Sequence, residues 1–202
     1  MLPFDFIDRV QGGIYDRLSH KWEKTHPRAL LYVTSLPSRI VTFGVGFAGF
    51  YIGYANSHLY GDPIYHISAV ASNLIGRISD QLSTLYALRK DRIFIRIGQE
   101  LLEEFEPKFT QVGKESPVSL GGETNPLLGP SPSKKRLLLF YVPDLLLTSA
   151  IALAYPPLGY GISTASLYAA ANNIHVARET PEQYKRRRRN RLERSLQQFT
   201  GF

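Results

Sequence analysis

Arg77 and Asp80 stand three positions apart inside a stretch of chain otherwise poor in charge. At helical spacing they fall on one face, where each can compensate the other's charge. Asp144, in a second charge-poor stretch, can join them, and Asn73, Asn172, Asn173 and His175 add further hydrogen-bonding groups. Ionisable groups in apolar surroundings suit a proton relay, an ion path or a pocket for a lipid headgroup. The plainer alternative is a satisfied polar network that sets the register of packed helices. With no channel-like array of carboxylates, the network is favoured.

Other chemistry finds little support. Zero cysteines exclude a disulfide scaffold, a thiolate zinc site, an iron–sulfur cluster and a cysteine nucleophile. The five histidines lack paired metal spacing, and neither H-E-x-x-H nor G-x-S-x-G occurs. Ser83 and Thr84 follow Asp80 with no base assigned to activate them. No metal site and no catalytic residue are expected, so the chain reads as a non-enzyme. Gly44-Val-Gly46-Phe-Ala-Gly49 matches the dinucleotide fingerprint by letter. The apolar run passes through these glycines without a turn, however, and Asp62 comes too early for the ribose-binding acid. Gly46, Gly49 and Gly53 instead share a helix face and form a small-residue surface that lets another backbone approach.

The elements that position these groups follow from the charge map. The chain has 202 residues, with 24 Lys and Arg against 17 Asp and Glu, a net charge of +7. Mean hydropathy is only −0.15, yet the charges are segregated. Between Arg39 and Arg89 the only basic residue is Arg77, and between Arg136 and Arg178 there is none. These blocks of about 50 and 40 residues are each near twice the roughly 20 needed to cross a bilayer as a helix. Each is broken near its middle, at Gly61-Asp62-Pro63 and at Tyr155-Pro156-Pro157. The pattern predicts an all-α integral membrane protein with four transmembrane helices, about 39–58, 64–88, 137–155 and 158–177, arranged as two hairpins. Lys and Arg flank the outer ends of both hairpins and are absent from their tips. The positive-inside rule then puts both termini on the cytoplasmic or matrix-like side of a bacterial or organellar inner membrane.

The remaining segments fall outside the spans. Residues 1–38 carry Phe6, Ile7, Val10, Ile14, Tyr15 and Leu18 at helical spacing, which predicts an amphipathic helix on the membrane surface or on a protein partner. Residues 89–136 predict an extramembrane loop with a short helix over 93–105 stopped by Pro107, then a Gly-, Pro- and Ser-rich stretch. Residues 178–202 form a basic tail. Within it Lys185, Arg186, Arg187, Arg188, Arg189 and Arg191 suit anionic phospholipid or an acidic partner subunit. Nucleic acid is disfavoured, because no aromatics interleave the basic run.

Asp80-Gln-Leu-Ser-Thr and Glu123-Thr-Asn-Pro-Leu-Leu-Gly-Pro-Ser-Pro-Ser carry a resemblance. The chain over roughly 64–176 resembles a family of short prokaryotic multi-pass membrane proteins that pair a D-x-x-[ST]-T helix with an E-x-N-P-[LI]-[LI]-G-x-x-P-S segment. The match falls on Asp80, Ser83, Thr84, Glu123, Asn125, Pro126, Gly129 and Pro132, and the loop between the motifs is longer here. The resemblance implies a multi-pass topology and no particular activity.

Together these features predict an accessory, non-catalytic subunit of a larger membrane assembly of respiratory, photosynthetic or ATP-synthase type. Its expected partners are other membrane subunits and anionic phospholipids, with no cofactor beyond bound phospholipid. The alternative is a small membrane enzyme or transporter using Arg77, Asp80 and Asp144.

Overall fold

The computed structural model describes residues 3–22, 27–111 and 134–200, and these are almost wholly helical. Six α-helices follow in order: α1 (Pro3–Trp22), α2 (Pro27–Ala55), α3 (Pro63–Gln111), α4 (Lys134–Ala154), α5 (Pro156–Ala177) and α6 (Pro181–Thr200). A single 3₁₀ turn, Ser57–Leu59, links α2 to α3. Five of the six helices begin on proline, whose fixed φ suits the first helical position and whose missing N–H would have had no partner there. Side-chain caps complete two of these starts. Asp62 Oδ1 accepts from the Ile64 amide at 2.8 Å. Thr180 and Gln183 form a reciprocal capping box, with the Gln183 amide donating to Thr180 Oγ1 at 3.2 Å and the Thr180 amide to Gln183 Oε1 at 3.0 Å.

The spine of the molecule is α3. At 49 residues it is about 73 Å long. α5 and then α6 lie along it end to end and run in the same direction, because successive contacts advance together on both strings. Ser72 meets Ser163, Arg77 meets Ser166, Ser83 meets Asn173, and Glu104 meets Arg189. α2 packs antiparallel on α5, and α4 antiparallel on α3 and α5. α5 therefore sits among α2, α3 and α4. Its buried residues are Pro156, Pro157, Gly159, Gly161, Ser163, Ser166, Ala170 and Ala177, all small or ring-closed, so its neighbours come close on several sides.

The four-span expectation is overturned. Among the described residues one helix, Lys135–Ala154, is long and apolar enough to cross a membrane, with a mean hydropathy of 2.0 over its best window. The other three candidates fall short for identifiable reasons. The uncharged part of α2 runs only from Ile40 to the helix end at Ala55, short of the roughly 20 residues a crossing needs. α3 carries Arg77 and Asp80, and continues without a break into Arg89 and Lys90. α5 is rich in Gly, Ser, Thr and Asn, which serve helix packing and hydrogen bonding rather than lipid contact.

The segments outside those blocks also take a different form. The 93–105 helix is no separate piece but the far half of α3, which runs through Pro107 to Gln111. Proline removes one ladder hydrogen bond. The flanking Phe105 and Phe109 are both buried with Leu101 and Leu192, and this packing holds the last turn in place. The basic tail is α6, docked on that far half of α3, with Tyr184 stacked on Phe94 at 4.5 Å between ring centroids. α1 lies against α2, its Phe4 stacks near Tyr168 and His175 of α5, and its Tyr15 lies under the Arg191 guanidinium of α6.

Candidate functional site

A line of polar side chains follows one face of α3 where it meets α4 and α5. Asn73 is fully buried, and its Nδ2 donates to Thr148 Oγ1 at 3.2 Å and Ser149 Oγ at 3.3 Å on α4. One turn on, Arg77 donates to Asp144 of α4 and, at 3.3 Å, to Ser166 Oγ of α5. Its other acidic neighbour, Asp80, lies 3.9 Å away on the same helix. Asn173 of α5 then reaches back to α3, donating to Thr84 Oγ1 at 3.1 Å, Ser83 Oγ at 3.2 Å and Asp80 Oδ1 at 3.5 Å. Asn73, Arg77, Asp80, Asp144 and Asn173 are thus brought together, with Ser83 and Thr84 from the D-x-x-S-T motif. Two expected members are elsewhere. His175 stacks on Phe4 with ring centroids 5.2 Å apart, and Asn172, rotated about 100° from Asn173 around α5, is half-buried.

Electrostatically the seam is nearly self-contained. The Arg77, Asp80 and Asp144 side chains are each roughly four-fifths buried, and one cation is shared by two acids on two helices. Arg77 Nε, Asn73 Oδ1 and Gln81 Nε2 are enclosed with no protein partner among the described residues. Such an arrangement can lock three helices in register.

The three expected packing glycines all face α5. A Cβ on Gly46 would meet Ala165 Cβ at 3.1 Å and the Gly161 carbonyl at 3.2 Å. One on Gly49 would collide with the Thr164 side chain, and one on Gly53 would come within 2.9 Å of Pro157 Cα. Gly44, the first glycine of the dinucleotide-like string, has open space around it in the middle of an unbroken helix. Sequence reasoning missed Gly76, whose Cβ would lie 2.7 Å from the Ser163 carbonyl oxygen, and Gly159, where it would lie 2.6 Å from Ala152 Cβ. The signal was present in Gly-x-Gly-x-Ser-x-x-Ser on α5, small residues at nearly every second position from 159 to 166.

A second missed feature lies where α2, α3, α4 and α5 end or begin. The two ring nitrogens of His66 lie 2.7 Å from the Leu153 carbonyl oxygen and 3.0 Å from that of Tyr60. A carbonyl only accepts, so both contacts are satisfied together only in the cationic form, in which both nitrogens donate. Leu153 is in the last turn of α4 and Tyr60 closes the 3₁₀ turn, so one imidazolium caps two C-termini where positive charge is favoured. The Leu153 bond first, then the Tyr60 bond, holds His66 above the ordinary imidazole range, against slight desolvation. Around it Tyr60, Tyr65, Tyr155 and Tyr160 form a chain of ring contacts, with Tyr65 Oη on the Gly53 carbonyl and Tyr160 Oη on Ser68 Oγ, both at 2.5 Å. The concentration of tyrosine around the two breaks in the charge-poor blocks was the available clue.

The basic run is largely engaged within the chain. Arg187 pairs with Glu179 at 2.9 Å, Arg189 with Glu104 at 2.6 Å, and Lys185 approaches Glu100 at 4.0 Å. Arg188 is buried and Arg191 lies over Tyr15, while Arg186 is exposed. Glu123, Asn125, Pro126, Gly129 and Pro132 of the second motif lie outside the described residues. No group of three or more metal-ligating side chains occurs among the described residues. Comparison of the chain with protein-family models, with curated proteins and with solved structures found no match.

Proposed function

We propose that the chain is a non-catalytic accessory subunit of a larger membrane protein assembly, of respiratory, photosynthetic or ATP-synthase type. It is held in a bacterial or organellar inner membrane by α4 and covered by neighbouring subunits and lipid. One observation carries the reading: on α2 and α4 large apolar side chains face outward in rows, while the buried face of α5 between them is built from small residues. On α2 the row is Ile40, Phe43, Phe47 and Tyr51, opposite the glycines that touch α5, with Phe43 77% and Phe47 60% exposed. On α4 it is Leu139, Val142 and Leu146, and only 11% of the apolar window of that helix is buried. Exposed apolar surface on this scale marks contact with a partner or a membrane. Lys134, Lys135 and Arg136 at the start of α4, with no Lys or Arg at Tyr155–Pro157, favour the cytoplasmic or matrix-like side for the start of that helix.

The polar seam fits this reading as a register lock. Its one cation is shared by its two acids, and its small-residue surroundings bring the helices close. Purification in mild detergent, followed by identification of what migrates with the chain, tests the proposal. Stoichiometric companion subunits are expected. A chain that runs alone and monodisperse in plain buffer overturns it.

The alternative of a small membrane enzyme or transporter draws on the enclosed Arg77 Nε and Gln81 Nε2. Asp80→Asn discriminates: a proton-transfer role requires loss of transport or turnover with assembly intact, whereas a register role changes assembly and stability together.

A further inference from the structure

An open groove of about 530 Å³ runs between α3 and α5, lined by Ser79, Leu82 and Tyr86 on one side and Ala170, Ile174 and Arg178 on the other. Each set repeats every three or four residues, so each is a straight row along its helix. Because the helices run in the same direction, the groove has two unlike ends. Ser79 and Ala170 stand at one, Tyr86 and Arg178 at the other. Between the ends the walls are mostly apolar and open outward, with Leu82 62% and Ile174 42% exposed and Ser83, also lining the groove, bonded to Asn173.

Positive charge gathers at the Tyr86 end. Arg178, at the C-cap of α5, is exposed. The Lys90 ammonium lies 5.9 Å over the Tyr86 ring and donates to the Glu179 carbonyl at 3.5 Å, which brings a second cation beside Arg178. Two of the nearby acids, Asp80 and Glu179, are already held by other partners. Asp80 receives Asn173 and faces Arg77, and the Glu179 carboxylate is bound by Arg187. An apolar trough with two cations at one end complements an amphiphile with an anionic head.

We infer that this groove binds one anionic phospholipid, its phosphate at Arg178 with Lys90 beside it and one acyl chain along Leu82 and Ile174. The inference rests on the reading that the chain works in a membrane. It differs from attraction of lipid to the basic run of α6, because it predicts a single site with a shape as well as a charge. Tyr86, with an apolar body and a polar tip at the boundary between trough and cations, is the residue type favoured at a membrane interface.

The test uses the full chain in mild detergent, titrated with dioleoyl phosphatidylglycerol or dioleoyl phosphatidylcholine and read by native mass spectrometry. One phosphatidylglycerol is expected to be retained about tenfold better than phosphatidylcholine, the ratio that a single charge-assisted phosphate contact worth about 1.4 kcal/mol produces. Arg178→Gln removes that preference. Ile174→Trp fills the trough and weakens both lipids alike, with Leu82→Trp on the opposite wall as the second variant should the first fail to fold. Arg186→Gln on α6 changes neither. Equal retention of the two lipids by the unaltered chain overturns the inference, as does loss of the preference on Arg186→Gln but not on Arg178→Gln. The measurement is made on the isolated chain, so a subunit found to have no companions leaves this result standing, and the reverse also holds.

Discussion

Arg77 of α3 and Asp144 of α4, 67 positions apart in the chain, form an ion pair that ties these two helices together. The pair is mostly shielded from solvent, so the cost of removing one partner is dominated by the charge left behind. Asp144→Leu or Arg77→Met alone is expected to destabilise the fold by about 2–4 kcal/mol. The double variant removes both members of the pair but leaves Asp80 without its cation, so it is expected to recover only part of that loss. Thermal unfolding of the four proteins in detergent checks it. A double variant as weak as the singles would place the pair's value outside helix pairing.

Close approach of α3 to α5 depends on Gly76. A Cβ there meets the Ser163 backbone at 2.7–2.9 Å, and backbone has no rotamer by which to move aside. Gly76→Ala is expected to cost about 1–3 kcal/mol as overpacking. Gly44→Ala, with nothing within 4 Å, is expected to gain up to about 1 kcal/mol from helix propensity. Opposite signs for the same substitution, read as melting-temperature shifts, are the diagnostic result.

Stability should depend on pH through His66. Its folded-state affinity for the proton is raised by the Leu153 and Tyr60 carbonyls. Its contribution is therefore fully present below the unfolded value of about 6.5 and is lost as pH rises through the higher folded value. His66→Gln is expected to lower the melting temperature at pH 5.5 and to change it far less at pH 9. The difference between variant and parent, measured across that range, should track one titrating group. A flat difference would show that the ring acts only by its shape.

The docking of α6 separates packing from charge. Leu192 is 2% exposed within the cluster of Leu101, Phe105 and Phe109, so Leu192→Ala is expected to cost about 2–5 kcal/mol and to loosen α6. Arg189 and Glu104 approach at 2.6 Å, but their side chains are 42% and 40% exposed, and Arg189→Ala is expected to cost about 1 kcal/mol or less. Amide exchange along residues 181–200 reports both. Equal effects would mean that the basic helix is held by its charges.

Much of the local structure was legible because its causes are local. Proline at Pro3, Pro27, Pro63, Pro156 and Pro181 starts helices by its own φ, and the Thr180–Gln183 pair caps α6 through groups three residues apart. The spacing of Arg77 and Asp80, and the shared face of Gly46, Gly49 and Gly53, likewise need only 3.6 residues per turn. The Arg77–Asp80 spacing and the glycine face were read from the order of residues, and the structure places them on helices; the proline starts and the capping box were equally local but went unread.

What the order of residues could not decide is which face meets which helix, because that depends on groups distant in sequence. Charge-poor blocks look alike whether their apolar side chains face lipid or another helix, so four spans were expected where, among the described residues, only α4 has the length and hydropathy to cross. Pro107 reads as a stop, yet α3 continues because Phe105 and Phe109 are buried against Leu192, some eighty positions on. The basic run looked like an open cationic surface until Glu100, Glu104 and Glu179 were brought beside it. Periodicity and capping act over a few residues and are written into the chain. The pairing of charges, the sharing of His66 between two helix ends and the fit of Gly76 to Ser163 exist only once the helices are side by side.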